Sequence, residues 1–238
     1  MNDENIDVVV IISADIEWRA VQNLFPELKR SRSPFGEFFH LAVSNFSGDR
    51  RVLLFQGGWG KISAAASAQY AIDRWKPRLL INIGTCGGFE GEIARGALVL
   101  VERTVVYDIF EQMGDPEDHI KYYTTELDLS WLHEPFPEPV IRGTLVSGDR
   151  DLFPDDIRRL KLSYGAVAGD WESGSIAFVA NRNNLPCLIL RGVSDLVGEL
   201  GGEVYGNLNL YEKSAQEIMA QLVKTLPDWL ECADLFRY

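Results

Sequence analysis

Three acidic residues, Glu17, Glu172 and Asp195, each follow an apolar run that has the character of a buried strand. In a parallel α/β sheet, ligands bind just beyond the carboxyl ends of the strands, so side chains placed there meet at one edge. Carboxylates that converge in a cleft have raised pKa values, which suits general acid and general base catalysis. The pattern favours a catalytic site above a glycine-rich segment, Gly84–Gly88. Each acidic residue taken alone is better explained as a helix cap or a solvated charge.

Asp195 shows both interpretations most clearly. The run Cys187–Leu190 is too short for a confident helix and is typical of a strand buried on both faces. Arg191, Ser194 and Asp195 come directly after it. Asp195 is therefore either a catalytic acid at a strand end or the cap of the next helix, and spacing alone favours the cap.

Composition limits the classes of function. The 238 residues are long enough for one α/β domain covering 1–238, with 46% hydrophobic and 24% charged residues. A net charge of −12 argues against nucleic-acid or anionic-membrane partners. No apolar run approaches the roughly 20 residues that span a bilayer, and the acidic amino terminus does not resemble a secretory signal. Three cysteines without metal-type spacing indicate reduced thiols and a cytoplasmic location, and no cofactor is predicted.

Strands alternate with helices along the chain, which predicts a three-layer α/β/α fold with a mixed central sheet. The predicted strands are Val8–Ile12, Phe35–Phe46, Arg51–Phe55, Leu79–Ile83, Ala97–Val101, Thr104–Tyr107, Val140–Ser147, Ala166–Ala168 and Cys187–Leu190. The predicted helices are Ile16–Phe25, Ile62–Trp75, Pro154–Tyr164, Ser173–Asn181, Tyr211–Leu226 and Pro227–Leu235. The acidic, proline-bearing stretch Asp108–Glu138 shows no sustained period and is predicted as a long loop.

Other candidate residues carry weaker signals. Trp59, in a Gly-Gly-Trp-Gly turn, could stack on a flat ligand, although packing in the core is the default interpretation. Gly84–Gly88 matches neither the dinucleotide fingerprint nor a Walker loop, and a tight turn explains it equally well. The histidines His40, His119 and His133 are scattered, so neither a zinc site nor a catalytic triad is predicted.

Four signatures occur in one order along the chain: Gly58–Ile62, Ile81–Gly88, Val146–Asp149, and Trp171–Ala177 together with Arg191–Asp195. As an ordered set they resemble the nucleoside phosphorylase/nucleosidase superfamily, most closely its methylthioadenosine/S-adenosylhomocysteine nucleosidase branch. The resemblance implies a mixed sheet flanked by helices, usually in a homodimer that cleaves the N-glycosidic bond of a purine nucleoside without a metal or cofactor.

The resemblance also implies roles at the matching positions. Asp195 would protonate purine N7, Ser194 would orient it, Glu172 would bind the ribose hydroxyls, and Glu17 would align the attacking water. The remaining residues implied to contact the substrate are Trp59, Thr85, Cys86, Gly87, Leu152, through its backbone, and Trp171.

Water is favoured over phosphate as the nucleophile, because Asn82 replaces the arginine that superfamily phosphorylases place before the loop glycine. Arg19 or Arg191 could still supply a cation, so a phosphorylase remains an alternative, as does a non-catalytic nucleoside-binding protein. Three departures from the branch leave the base and the 5′ substituent open. Trp171 replaces a methionine, Asp151 replaces a phenylalanine that stacks on adenine, and Tyr107-Asp108 keeps only part of a Tyr-His-Asp segment.

Overall fold

The computed structural model describes residues 6–45 and 48–236. The strands are β1 (Val8–Ile12), β2 (Ser31–Arg32), β3 (Glu37–Asn45), β4 (Gly48–Gln56), β5 (Leu79–Phe89), β6 (Leu98–Val106), β7 (Thr124–Glu126), β8 (Val140–Ser147), β9 (Ala166–Asp170), β10 (Cys187–Gly198) and β11 (Gly201–Gly202). The helices are α1 (Asp15–Leu24), α2 (Gly60–Trp75), α3 (Pro116–Tyr122), α4 (Pro154–Tyr164), α5 (Ser173–Arg182) and α6 (Leu208–Glu231), followed by a 3₁₀ turn at Asp234–Phe236.

All the strands belong to one mixed sheet in the order β11-β10-β6-β8-β9-β5-β1-β4-β3-β2, with β7 paired to β6. β1 runs parallel to β4 and β5, whereas β6 runs antiparallel to β10. Apolar side chains of α1 and α6 cover one face, and those of α2 and α5 cover the other. The predicted three-layer α/β/α fold with a mixed sheet is therefore confirmed.

Two long strands make the sheet curl on itself. β5 pairs with β1, β10 and β9, and β10 pairs with β5, β6 and β11. Since β6 pairs with β8 and β8 with β9, the strands β5, β10, β6, β8 and β9 form a closed ring. A separate apolar cluster, which includes Phe89, Val146 and Leu152, packs around this ring. The ring brings the ends of five strands close together.

The structure corrects two predicted strand ends. Gly84–Gly88 was expected to follow a strand that ends at Ile83, but it lies within β5, because β9 and β10 supply backbone partners to this glycine-rich stretch. Asp195 likewise lies inside β10, and the two-residue strand β11 comes next, so the prediction that Asp195 caps a helix is wrong.

Three further predictions differ from the structure. Residues 98–106 form the single strand β6, with an irregularity between Val101 and Arg103, rather than two strands. The segment predicted as a long loop, Asp108–Glu138, contains α3 and β7. The two carboxyl-terminal helices are one helix, α6, which continues through Pro227 because Leu226, Trp229 and Leu230 are buried on the same apolar face. Of the predicted hairpin turn at 47–49, residue 47 lies outside the described residues.

Candidate active site

A cavity of about 730 Å³ opens where the ends of β5, β9 and β10 meet the start of α1 and of α6. Its wall includes all ten residues that the sequence predicted for catalysis or substrate binding: Glu17, Trp59, Thr85, Cys86, Gly87, Leu152, Trp171, Glu172, Ser194 and Asp195. Side chains from widely separated parts of the chain therefore meet around one hollow large enough for a nucleoside-sized ligand.

A break in strand register positions Asp195. Val193 pairs with Cys86 and Asp195 pairs with Gly87, so Ser194 is an extra residue in β10. The Ser194 hydroxyl lies 2.7 Å from Oδ1 of Asp195 and 3.1 Å from the Cys86 carbonyl oxygen, and its single hydrogen serves the nearer acceptor. Burial raises the pKa of Asp195, and the Ser194 hydroxyl and the nearby backbone N–H of Val204 oppose that change. Oδ2 of Asp195 has no hydrogen-bond partner in the described part of the chain.

Hydrogen bonds hold both carboxylate oxygens of Glu17. Its Oε1 accepts the backbone N–H of Thr85 at 2.6 Å and the Thr85 hydroxyl at 2.7 Å. Its Oε2 accepts the backbone N–H of Ala14 at 3.3 Å, across the first turn of α1. Glu17 is 2% exposed, so this carboxylate takes its partners from protein groups and from whatever enters the cavity.

Glu172 lies between β9 and α5 and is also almost completely buried. Its Oε1 accepts the backbone N–H of Gly60, the first residue of α2, at 3.0 Å. Burial, together with the negative charge of Asp170, raises the pKa of Glu172 to about 8. This carboxyl therefore keeps its proton to higher pH than an exposed glutamate would, and in the protonated form it can both donate and accept hydrogen bonds.

A buried cation stands among these acidic groups. Nη2 of Arg191 lies 2.9 Å from Oδ2 of Asp170 and donates to Oδ1 of Asn82 at 2.6 Å, while Nε donates to the Ser173 hydroxyl at 2.9 Å. A Cβ at Gly84 would lie 1.8 Å from Nη1 of Arg191, so only glycine leaves room for the guanidinium here. The charges of Asp170, Glu17 and Glu172 raise the pKa of Arg191, and burial opposes that change.

Two indole rings cover one side of the cavity. Trp59 and Trp171 stack with ring centroids 5.4 Å apart and planes 12° from parallel. Trp59 is 68% exposed, so the default interpretation that it packs in the core is wrong. The pair presents a flat apolar surface beside Glu172.

Leu152 and Asp151 also belong to the cavity wall. The Leu152 side chain packs close to Gly87 and Gly169. A Cβ added at Gly87 would lie 3.2 Å from it, and a Cβ added at Gly169 would lie 2.9 Å from it. The Leu152 carbonyl accepts the Tyr205 hydroxyl at 2.9 Å, so one of its two lone pairs is already in use. Burial raises the pKa of Tyr205, and the charge of the exposed Asp151 adds to that change.

The sequence did not identify three polar groups at the site: Asp170, Tyr205 and Tyr211. Asp170 stands at a strand end next to Glu172, and this position was its only signal. Tyr205 lies between β11 and α6, in a stretch where no periodicity indicates which side chains point inward, and Tyr211 lies in the first turn of α6. In residues 6–45 and 48–236, no group of three or more His, Cys, Asp or Glu side chains is placed to hold a metal ion.

Comparison with known proteins identifies the family of the chain. Residues 8–226 match the family model described as the phosphorylase superfamily. The chain belongs to this superfamily. Within the superfamily, it is 29% identical over 211 residues to a 5′-methylthioadenosine/S-adenosylhomocysteine nucleosidase of Maridesulfovibrio salexigens, covering 83% of this chain and 87% of that protein. It is 28% identical over 155 residues to the Buchnera aphidicola nucleosidase of the same name, covering 60% of this chain and 67% of that one.

Solved structures of superfamily members share the fold. The Campylobacter jejuni 5′-methylthioadenosine/S-adenosylhomocysteine nucleosidase superposes with a TM-score of 0.74 at 17% identity, over 94% of this chain and 100% of the other. The Helicobacter pylori futalosine hydrolase superposes with a TM-score of 0.75 at 18% identity, over 94% and 98% of the two chains. These likenesses establish a common architecture.

Proposed function

We propose that this protein hydrolyses the N-glycosidic bond of a purine nucleoside. One observation carries the proposal: Asp195, Glu17 and Glu172 stand on the wall of a single cavity, and all three are buried. The family membership supports it, as do relatives at 28–29% identity that are named nucleosidases.

In the proposed reaction, Asp195 acts on the leaving base. A purine departs badly as an anion, so the proton that Asp195 gives to N7 lets the base leave as a neutral molecule while the C1′–N9 bond breaks. The raised pKa of Asp195 keeps this proton available at higher pH than an exposed aspartate would. Ser194 orients the carboxyl through Oδ1, which leaves the unpartnered Oδ2 free to face the base. General acid catalysis typically contributes about 10²–10⁴-fold.

The other two carboxyl groups act at the sugar. Glu172, held by the Gly60 N–H, binds the ribose hydroxyls, and its neighbourhood of acidic groups stabilises positive charge that develops on the ribosyl ring. Glu17 aligns a water molecule, whose oxygen bonds to C1′ while its proton passes to the carboxylate. Thr85, Cys86 and Gly87 line the side from which this water approaches.

The charged side chains around the site favour water over phosphate as the nucleophile. Arg191 is the buried cation at this end of the described site, and it is already paired with Asp170 and bonded to Asn82 and Ser173. Glu17 and Glu172 lie beside it, so a dianionic nucleophile would enter a region with more carboxyl groups than cations. Arg19, the other candidate cation, lies on the exposed rim and is 3.7 Å from Glu212.

The remaining predicted contacts form the walls of the substrate site. The Trp59–Trp171 pair bounds the sugar side, and the Leu152 side chain and backbone bound the base. Because the Tyr205 hydroxyl already uses the Leu152 carbonyl, a purine edge would share this acceptor or replace the tyrosine.

A panel of purine nucleosides tests the function. Adenosine, inosine and methylthioadenosine are each incubated with the protein, with and without phosphate, and free base and sugar are separated by chromatography. We expect base and free ribose or its 5′-modified form, at a rate independent of phosphate. Phosphate-dependent release of a sugar 1-phosphate would make the protein a phosphorylase. Ligand-induced thermal stabilisation without base release at any pH would indicate a binding protein.

We also propose that the chain acts as one domain, in the cytoplasm, and as a homodimer. A single sheet that takes strands from β1 to β11 supports one domain. Exposed apolar side chains on two segments support a dimer: Trp59, which lines the cavity, and Ile62, Phe110 and Met113. The Lys61–Asp108 ion pair holds their two segments together. Light scattering after size-exclusion chromatography should give a mass of twice the 26.8 kDa chain. The Ile62→Glu variant should give a lower mass, because the substitution places a charge in the proposed interface. No helix of the described residues is long and apolar enough to cross a membrane.

A further inference from the structure

A tyrosine from α6 reaches the group proposed to align the nucleophile. The Tyr211 hydroxyl lies 3.1 Å from the Thr85 hydroxyl, and the Thr85 hydroxyl lies 2.7 Å from Oε1 of Glu17. These three side chains come from α6, β5 and α1, so the contact joins three elements that meet at the cavity. Tyr211 has no assigned role in the reaction described above.

The hydrogens fix the direction of both bonds. A threonine hydroxyl carries one hydrogen and can give it to one acceptor at a time. Oε1 of Glu17 is the nearer acceptor and the one that can carry charge, so Thr85 donates to Glu17. The Thr85 oxygen must then accept from Tyr211, which leaves the order Tyr211 to Thr85 to Glu17. Burial raises the pKa of Tyr211, so its hydroxyl keeps the hydrogen that it donates.

We infer that Tyr211 is a positioning residue for the nucleophile, acting on Glu17 through Thr85. The inference rests on the proposed hydrolysis. Because Oε1 of Glu17 is occupied by the Thr85 N–H and hydroxyl, Oε2, which has only a 3.3 Å bond from Ala14, is the oxygen available to a water molecule. Polarisation of the Thr85 hydroxyl by Tyr211 strengthens its bond to Oε1 and holds the carboxylate in this orientation.

Other titratable groups also face Glu17, and the test must leave them unchanged. They are Arg191 of β10, Glu172, which precedes α5, and the Cys86 thiol of β5, which stays protonated because burial raises its pKa. None of them bonds to the Thr85 hydroxyl among the described contacts. A change confined to the Tyr211 hydroxyl therefore perturbs the chain of bonds and leaves these charges in place.

A double-mutant cycle isolates the contact. Tyr211→Phe removes one hydroxyl and keeps the ring, and Thr85→Val removes the intervening hydroxyl while it keeps the shape. A net hydrogen bond of this kind corresponds to about 2- to 12-fold in rate. We expect Tyr211→Phe to lower kcat within that range with KM changed by less than about 2-fold, since the altered group acts on the nucleophile. In the Thr85→Val background, Tyr211→Phe should have little further effect on kcat.

Tyr205→Phe is the matched control. Tyr205 is on the same cavity wall, and its hydroxyl bonds to the Leu152 carbonyl rather than to Thr85. Its effect on kcat should therefore be the same in the wild-type and Thr85→Val backgrounds. This comparison separates the specific chain of bonds from a general loosening of the cavity.

Any other outcome of the double-mutant cycle contradicts the inference. Additive effects of Tyr211→Phe and Thr85→Val would show that the two hydroxyls act independently. An effect of Tyr211→Phe on KM alone would make Tyr211 a substrate contact. If the wild-type protein releases no base from any nucleoside, the proposed function fails, and the positioning role fails with it. If the wild type releases base but the effects of Tyr211→Phe and Thr85→Val on kcat are additive, only the role of Tyr211 is overturned.

Discussion

Arg191 and Asp170 form an ion pair, 2.9 Å between Nη2 and Oδ2, whose two side chains are 1% and 3% exposed. A buried ion pair does not by itself guarantee stability, because both ions lose their hydration. Here the guanidinium also faces Glu17 and Glu172, so it offsets the repulsion among three acidic groups. Arg191 therefore allows this concentration of carboxyl groups to exist inside a folded chain.

Removal of Arg191 should be strongly destabilising. Arg191→Met leaves Asp170 and its acidic neighbours without a buried cation, which typically costs about 3–5 kcal/mol. Urea unfolding at pH 7.5 measures this loss. Arg158→Met, on the exposed side of α4, should change the free energy of unfolding by less than about 0.5 kcal/mol. An Arg191→Met protein as stable as this control would contradict the assigned charge balance.

Asp195→Asn should separate binding from chemistry. The asparagine keeps the shape and can still bond to Ser194, but it has no proton to give to the base. We expect base release to fall at least about 100-fold, with the fold and ligand-induced stabilisation retained. Chromatography of free base and a thermal shift with nucleoside measure the two properties. Near-normal turnover would rule out Asp195 as the acid. In the wild type, base release should decline as rising pH removes the proton from Asp195.

Glu17→Gln should affect the attack on C1′. The glutamine side chain would keep an oxygen to accept the Thr85 N–H, but it could not take the proton of the water. The expected loss in kcat is about 10²–10⁴-fold, with a smaller change in KM. Steady-state kinetics with the best nucleoside of the panel measures it. Glu27→Gln changes an exposed glutamate that follows α1 and should leave turnover unchanged. Unchanged hydrolysis in the Glu17 variant would remove its proposed role.

The raised pKa of Glu172 makes the stability of the ligand-free protein depend on pH. A carboxyl group whose pKa rises from 4.5 in the unfolded chain to about 8 in the folded one binds protons more tightly when folded. The stabilisation that this group adds to the free energy of unfolding is complete below about pH 4.5. It is lost as pH rises through about 8.

Glu172→Gln removes this titration. Between pH 6 and pH 8.5, the Tm of the wild type should therefore fall relative to that of the variant, by about 2–4 °C for each kcal/mol lost. Scanning calorimetry of both proteins without nucleoside is the measurement. Parallel Tm curves across this range would contradict the raised pKa.

Much of the architecture follows from local patterns in the sequence. The β-branched run Val8–Ile12 and the alanine-rich stretch that forms α2 have the periods of a buried strand and of a helix, and both elements are present. The three-layer fold follows from their alternation. The strand-end rule also indicated the correct region for Asp195, although Asp195 lies within β10 at a register break. Such a break depends on the pairing with β5, which no local pattern records.

The inner polar network could not be predicted, because its partners are far apart in sequence. Arg191 meets Asp170 and Asn82 only after β9 and β10 have both paired with β5. Tyr211 faces Thr85 because α6 packs against α1, across a sequence separation of 126 residues. Tyr205 lies in a stretch without periodicity and Tyr211 at the very start of a helical pattern, so the direction of both side chains depends on tertiary packing.

The closed ring of strands has a consequence for motion. Thr85 and Asp195 belong to β5 and β10, each of which pairs with three other strands. Thr85 and Asp195 themselves pair with Gly192 and Gly87 inside the long β5–β10 ladder. Amide hydrogens within such a ladder exchange with solvent in less frequent openings than those near Tyr205, in the segment before α6. The groups proposed to break the bond thus belong to a slowly exchanging part of the molecule, and Tyr205, beside the proposed base site, belongs to a faster one.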